Sequence, residues 1–220
     1  MSLVERVCNG GDEVSHGIKV VNGMNRRRTL AMAVLLAVMC LPGLALTGFF
    51  AAGAVLSAPA EDPRPADVVV VLGGDWAASG VTRRYALGRD LVLAGHSKRL
   101  ILIYPSADDA KDARDRLQNV EIVAFLAEPS SWSEAIDLRD RMQAEGLRSV
   151  MVVSDPPHML RLRYTWGSVM RGTGLHYTLV ATSPSWWPGW RWWRNPQASD
   201  FVGSEVIKLG YYLVKYRFGF

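Results

Sequence analysis

The hydrophobic positions of this chain fall into two regimes. From Leu30 to Leu56, 27 residues, no charged side chain interrupts an apolar run. From Asp67 onward, short apolar runs alternate with longer mixed stretches. Asp67–Leu72, Arg99–Tyr104, Val120–Phe125, Val150–Val153 and Tyr177–Ala181 read as strands, and their continuous apolar character suits strands covered on both faces. Between and after them, helices are predicted over Thr82–Ala94, Ala107–Gln118, Ser130 to about Ala144, His158 to about Met170, and Ser199–Tyr216. Gly95 and Gly146 stand where helix stops are expected. Ser154-Asp155-Pro156-Pro157 cannot continue a sheet, because proline removes a donor and fixes φ. Strands alternate with helices and no tight hairpin is visible. The pattern predicts an α/β fold, a Rossmann-like three-layer α/β/α sandwich with a mostly parallel sheet, preceded by one transmembrane helix.

The first regime sets the expected location. A helix over Leu30–Leu56 would span about 40 Å, more than the ~20 residues that cross a bilayer core. Arg26-Arg27-Arg28 precede the run and Glu61-Asp62 follow it. The excess of positive charge before the span puts the N-terminus in the cytoplasm and the larger part outside. The expected organisation is a cytoplasmic tail over 1–28, an anchor over 29–57, a Pro-rich linker over 58–65 and a domain over 66–220. Residues 1–23 show no convincing periodicity and read as a disordered tail, with Met24 as an alternative start. A cleavable signal peptide competes, since Ala58-Pro59-Ala60 has the A-x-A form. The run is about twice the ~7–15 residues of a signal core, which favours an uncleaved anchor.

Composition narrows the function classes. The chain of 220 residues carries 25 Lys/Arg against 21 Asp/Glu. Residues 1–29 hold five of the bases and three of the acids, leaving 20 against 18 for the remainder. So even a balance carries no electrostatic footprint for nucleic acid. Both cysteines, Cys8 and Cys40, precede the domain, which therefore has neither disulfide nor thiolate chemistry. No H-E-x-x-H, C-x-x-C, G-x-S-x-G or G-x-G-x-x-G occurs, which weighs against zinc hydrolase, dithiol, serine hydrolase and dinucleotide readings.

In an open parallel sheet, ligands bind beyond the carboxyl ends of the strands. Those ends gather Gly73, Gly74 and Asp75 after the first strand, Glu128, Ser131 and Glu134 after the third, and Ser154, His158 and Arg161 after the fourth. Arg83 and Arg84 open the first domain helix on the same rim. Arginines, a histidine and a helix N-terminus suit a phosphate or carboxylate. His158 and Arg161, three apart, share a helix face, and His158 is the candidate acid or base near neutral pH. Plainer roles stand beside these: Gly73-Gly74 as a turn, Ser131 and Glu134 as helix caps, Asp75 as a solvated loop acid, His158 and Arg161 as surface groups. No metal site is expected. Five of the eight tryptophans lie between Trp186 and Trp193. That segment reads as an exposed lip against membrane or a lipid-linked ligand, or else as local packing under the last helix.

These residues carry a resemblance. Ala66-Asp67-Val-Val-Val-Val-Leu-Gly-Gly74, Arg84 with Ala94-Gly95, Glu128 with Ser130-Ser131-Trp132-Ser133-Glu134-Ala135, Val153-Ser-Asp-Pro-Pro-His-Met-Leu-Arg161, and Glu205, Lys208 and Tyr211 are similar to the YdcF/SanA/ElyC family of bacterial envelope proteins. The likeness spans about residues 66–217. Tyr104-Pro105-Ser106 stands where the family usually has Ser-Gly-Gly, and Pro157 where it often has Tyr. The resemblance implies a domain on the periplasmic side of the bacterial inner membrane, tied to peptidoglycan biogenesis, with no settled reaction or cofactor. The function expected is binding of a phosphorylated, lipid-linked ligand, with phosphoryl or pyrophosphate hydrolysis or transfer as the class if a reaction occurs. The alternative is a scaffold that engages membrane or a cell-wall synthase through its Trp-rich segment.

Overall fold

The structure, a computed structural model, describes residues 11–74, 80–125 and 130–218. The chain divides into two compact units, residues 1–50 and 51–220. Helix α1 runs Gly11–Ser57 and contains Pro42, so the chain is helical well before the predicted anchor. Its stretch Arg28–Ser57 is long and apolar enough to cross a membrane.

The second unit is the expected α/β fold. Strands β1 (Val68–Val71), β2 (Arg99–Ile103), β3 (Glu121–Phe125), β4 (Ser149–Ser154) and β5 (His176–Ala181) form one sheet in the order β3-β2-β1-β4-β5. Every pairing is parallel, with Val69 opposite Leu100 on one side and Met151 on the other. Helices α2 (Arg83–Leu93), α3 (Ala107–Arg116), α4 (Ser131–Ala144), α5 (Met159–Val169) and α6 (Pro196–Phe218) make the connections and the close.

The two-residue period of a strand explains the layers. Val68, Val70 and Leu72 of the β1 segment enter one core with Leu138, Leu162 and Trp166 of α4 and α5. Val69 and Val71 enter the other, with Tyr85 and Leu91 of α2 and Ala113 of α3. A strand buried on both sides has no polar positions to spare, which is why VVVV was legible as a central strand. Helix α3 is mostly acidic and basic with few apolar positions. Its Asp109 and Ala113 are buried, and Asp109 closes a capping box with Ser106 while accepting from the backbone and hydroxyl of Thr82. That carboxylate ties the start of α3 to the start of α2.

The sheet order places a switch point between β1 and β4, where connections leave in opposite directions. A crevice opens there by topology alone, and the geometry of the candidate site follows from it.

Candidate functional site

Beyond β1, the chain turns at Gly73-Gly74. A Cβ at Gly73 would lie 2.9 Å from the Ile103 carbonyl oxygen, so only glycine lets the β1 and β2 ends run this close. Gly74 has φ +85°, a left-handed conformation that glycine adopts without steric cost. Tyr104, at the matching end of β2, adopts φ +50° without being glycine. Such a residue costs on the order of 1–2 kcal/mol, and Tyr104 lies on the wall of the crevice.

Beyond β4, Ser154 and Asp155 lead into a 3-10 turn, Pro156–His158, and then α5. Asp155 does not cap this turn. Its Oδ2 accepts from Arg84 Nε at 3.0 Å and Nη2 at 2.8 Å, and its Oδ1 accepts from the Thr182 hydroxyl. Arg84 also donates to the carbonyls of Leu72 and Gly73. Arg84 and Asp155 thus clamp the ends of β1 and β4 together, and Thr182 draws in the end of β5.

Arg161 is engaged in the same way from the other side. Its Nε and Nη2 form a fork on Glu205 at 2.7 and 3.0 Å, its Nη1 donates to Ser131 Oγ at 2.9 Å, and its face lies 5.1 Å from the Tyr212 ring. Ser131 Oγ lies 3.4 Å from His158 Nε2, and Ser154 Oγ 2.9 Å from Nδ1. The two serine hydroxyls thus occupy both ring nitrogens of His158. Burial, reinforced by Arg161, Arg84 and Lys208, holds His158 well below its ordinary 6.5. The ring is neutral at physiological pH. It bridges Ser131 of α4 and Ser154 of β4 and does not meet the requirement for an acid or base that titrates near neutrality.

The structure therefore brings Gly73, Gly74, Arg84, Ser131, Glu134, Ser154, His158 and Arg161 to one end of the sheet, as sequence reasoning placed them. It changes their chemistry. Arg84 and Arg161 are expected from sequence to face an anion, but each guanidinium is already met by a buried carboxylate. His158 and Arg161 are internal, so the surface reading of both is corrected too. Asp75 and Glu128 lie outside the described residues.

The open part of the site is a pocket of about 480 Å³ between α4, α6 and the glycine turn. Glu134, Lys208, Tyr211 and Lys215 line it together with Ser130 and Tyr104. The N-cap of α4 is Ser130, whose hydroxyl accepts from the Ser133 backbone N–H. Glu134 faces the pocket, where burial pushes its carboxyl up to about 7 against the pull of Arg161 and Arg84. Lys208 sits 3.4 Å from Glu205 and keeps half of its side chain in solvent. Lys215 lies 5.3 and 5.2 Å from the rings of Tyr211 and Tyr216. Tyr216 stacks on Trp132 at 3.8 Å and so fixes α6 against α4. A second pocket, about 460 Å³, opens on the other side of Gly74, with Asp155, Trp186 and Asp200 among its walls. No protein-family model matches the chain, and no curated protein matches it. The reading of the site therefore rests on its geometry.

Several of these residues were missed in the sequence. In the sequence Asp155 reads as a turn or capping residue, and Thr182 and Lys215 carry no signal, because each acts across the sheet or along a helix face. The Trp-rich segment was favoured as an exposed lip. Trp186 and Trp192 instead form a small core with Leu56, Ala198 and Val202, and Trp187 and Trp193 pack partly against it. Trp190 remains outside.

Proposed function

We propose that this chain is a membrane-anchored bacterial envelope protein of the YdcF/SanA/ElyC type, with its α/β domain on the periplasmic side. The domain binds a phosphorylated, lipid-linked ligand in the pocket between α4 and α6. The observation that carries this reading is the set of polar groups left open there. Lys208 and Lys215 supply positive charge, Ser130 supplies a hydroxyl, and tyrosine rings supply flat surface. An anion entering the pocket meets lysines that are hydrated and mobile, not the arginines already paired behind them. Arg84–Asp155 and Arg161–Glu205 support the reading differently: they hold the pocket walls in place.

Glu134 gives the pocket a group that changes protonation near neutrality. If phosphoryl or pyrophosphate transfer occurs here, Glu134 is the side chain able to exchange the proton, and His158 is a positioning residue.

The test is binding by the full chain in detergent, measured for undecaprenyl phosphate, a nucleotide sugar and S-adenosylmethionine. The phosphorylated lipid is expected to bind, and Lys208→Ala to weaken it roughly tenfold or more, from the ~1.5–3 kcal/mol of a hydrogen bond to a charged group. Equal binding by K208A and the unaltered chain would refute the assignment of the pocket.

A further inference from the structure

Helix α6 has apolar side chains on two opposite faces. Its inner face carries Ala198, Val202 and Tyr212 into the domain, with the buried Glu205 between them. At 100° per residue, Gly203, Val206, Ile207, Gly210, Tyr211 and Val214 cover an arc of about 140° on the other side. Between Gly203 and Val214 no charged residue falls in that arc, while Asp200, one turn earlier, does. Ile207 is 75% exposed, Val214 66%, Tyr211 55% and Val206 51%. A second apolar face on a helix is ordinarily covered, yet among the described residues nothing covers this one.

What covers it is indicated by the chain that enters the domain. The last turns of α1, Ala51–Ser57, belong to the globular unit. Leu56 packs on Trp186 and Trp192, immediately before α6 begins. A Cβ on Gly53 would lie 2.6 Å from Trp192 Cδ1 and 2.9 Å from the Gly189 carbonyl oxygen, so the helix and the Trp segment are in direct contact. The end of the apolar span is thus held at the foot of α6. Trp190, 62% exposed, projects from the same segment with the Arg191 guanidinium 4.2 Å from its ring. Beyond Asp200, the exposed charges described on α6 are Lys208 and Lys215, both cationic. Exposed aliphatic residues, an interfacial tryptophan and flanking cations are the composition of a helix lying in an anionic headgroup layer.

We propose that α6 and Trp190 dock on an anionic lipid surface, with Ile207, Tyr211 and Val214 entering the headgroup layer. This rests on the reading of α1 as a membrane anchor. It also deepens the proposed function. Lys208, Tyr211 and Lys215 line the pocket from the same helix, so a docked α6 would open the pocket toward the bilayer, where a lipid-linked headgroup is presented.

None of the eight tryptophans lies in Arg28–Ser57, so quenching by lipid reports on the globular unit alone. The experiment places the full chain, one copy per nanodisc, in phosphatidylglycerol bilayers with brominated acyl chains. Tryptophan emission is expected to be quenched relative to unbrominated discs. Trp190→Phe should remove the largest share, and the pair Ile207→Glu and Val214→Glu most of it, while the chain stays in the discs. Phosphatidylcholine should quench less than phosphatidylglycerol. The milder pair Ile207→Ser and Val214→Ser, with unfolding temperature checked in detergent, guards against a folding defect and should give a partial loss. A retained chain whose quenching is unchanged by the Glu pair would overturn the docking. So would a Glu pair that dissociates an oligomer in detergent while leaving quenching intact, since a second copy would then own the face. A chain that leaves the discs would overturn the anchor reading instead.

Discussion

The paired arginines give the sharpest prediction, because a guanidinium held for a ligand and one held by the fold respond differently to mutation. Arg161 and Glu205 are 7% and 1% exposed and meet at 2.7 Å. Removing one member of a buried pair costs about 3–5 kcal/mol, since the other charge stays buried without its partner. Lys208, 3.4 Å from Glu205, offers partial relief when Arg161 is lost, which puts Arg161→Met near the lower end of that range. Glu205→Leu leaves Arg161 with the Ser131 hydroxyl and the Tyr212 ring as its remaining described partners, and belongs toward the upper end. For a unit of this size, where about 1 kcal/mol moves Tm by ~2–4 °C, each single variant should unfold roughly 10 °C lower. The double variant Arg161→Met with Glu205→Leu removes both charges and should cost far less than the sum of the singles, because apolar replacements of a buried pair are often neutral. Thermal unfolding of the full chain in detergent, followed by tryptophan fluorescence without ligand, measures all four corners of the cycle. Arg161→Met within about 1 kcal/mol of the unaltered chain, or additive singles, would refute the reasoning and return Arg161 to the role of direct anion ligand.

Two further predictions concern the pocket and the core. Raising a carboxyl from 4.5 to about 7 corresponds to about 3 kcal/mol, and contact with the open pocket should leave about half of it. Folded Glu134 keeps a proton that the unfolded chain has lost, so this group lowers stability as pH rises from 4.5 to about 7. His158 has the opposite sign: below 6.5 the unfolded ring gains a proton that the folded ring does not, so acidification destabilises. In Glu134→Gln only the histidine slope remains, and Tm should fall more steeply from pH 6.5 toward 4.5 than in the unaltered chain; parallel profiles would refute this. Gly88→Ala in α2 drives a Cβ into Val71 Cγ2 of β1. It should cost about 1–3 kcal/mol by overpacking, despite the ~1 kcal/mol that alanine gains over glycine in a helix; a stabilised variant in urea unfolding would contradict the close packing of α2 on β1.

The apolar pattern alone determined most of the architecture. Val68–Val71, Leu100–Ile103 and Val150–Val153 are apolar without alternation because each is covered on both sides, and that condition exists only inside a three-layer sheet. The strand ends then named the rim, and Gly73, Arg84, Ser131, His158 and Arg161 do meet there. Their charge balance was not legible. Arg161 finds Glu205 across 44 residues and Arg84 finds Asp155 across 71, and no local spacing encodes such pairs. Nor could sequence separate the cap from the pocket in Ser130-Ser131-Glu134, because both roles use the same residues at the same offsets and only the rotation of α4 chooses. The Trp-rich segment shows the same limit: density in sequence suggested an exposed lip, while the end of α1 supplied Leu56 and Gly53 as the surface that buries Trp186 and Trp192. What a residue is remained with the sequence. Whether a buried charge is already answered, and which apolar face is left uncovered, was decided by the elements that tertiary packing brought beside it.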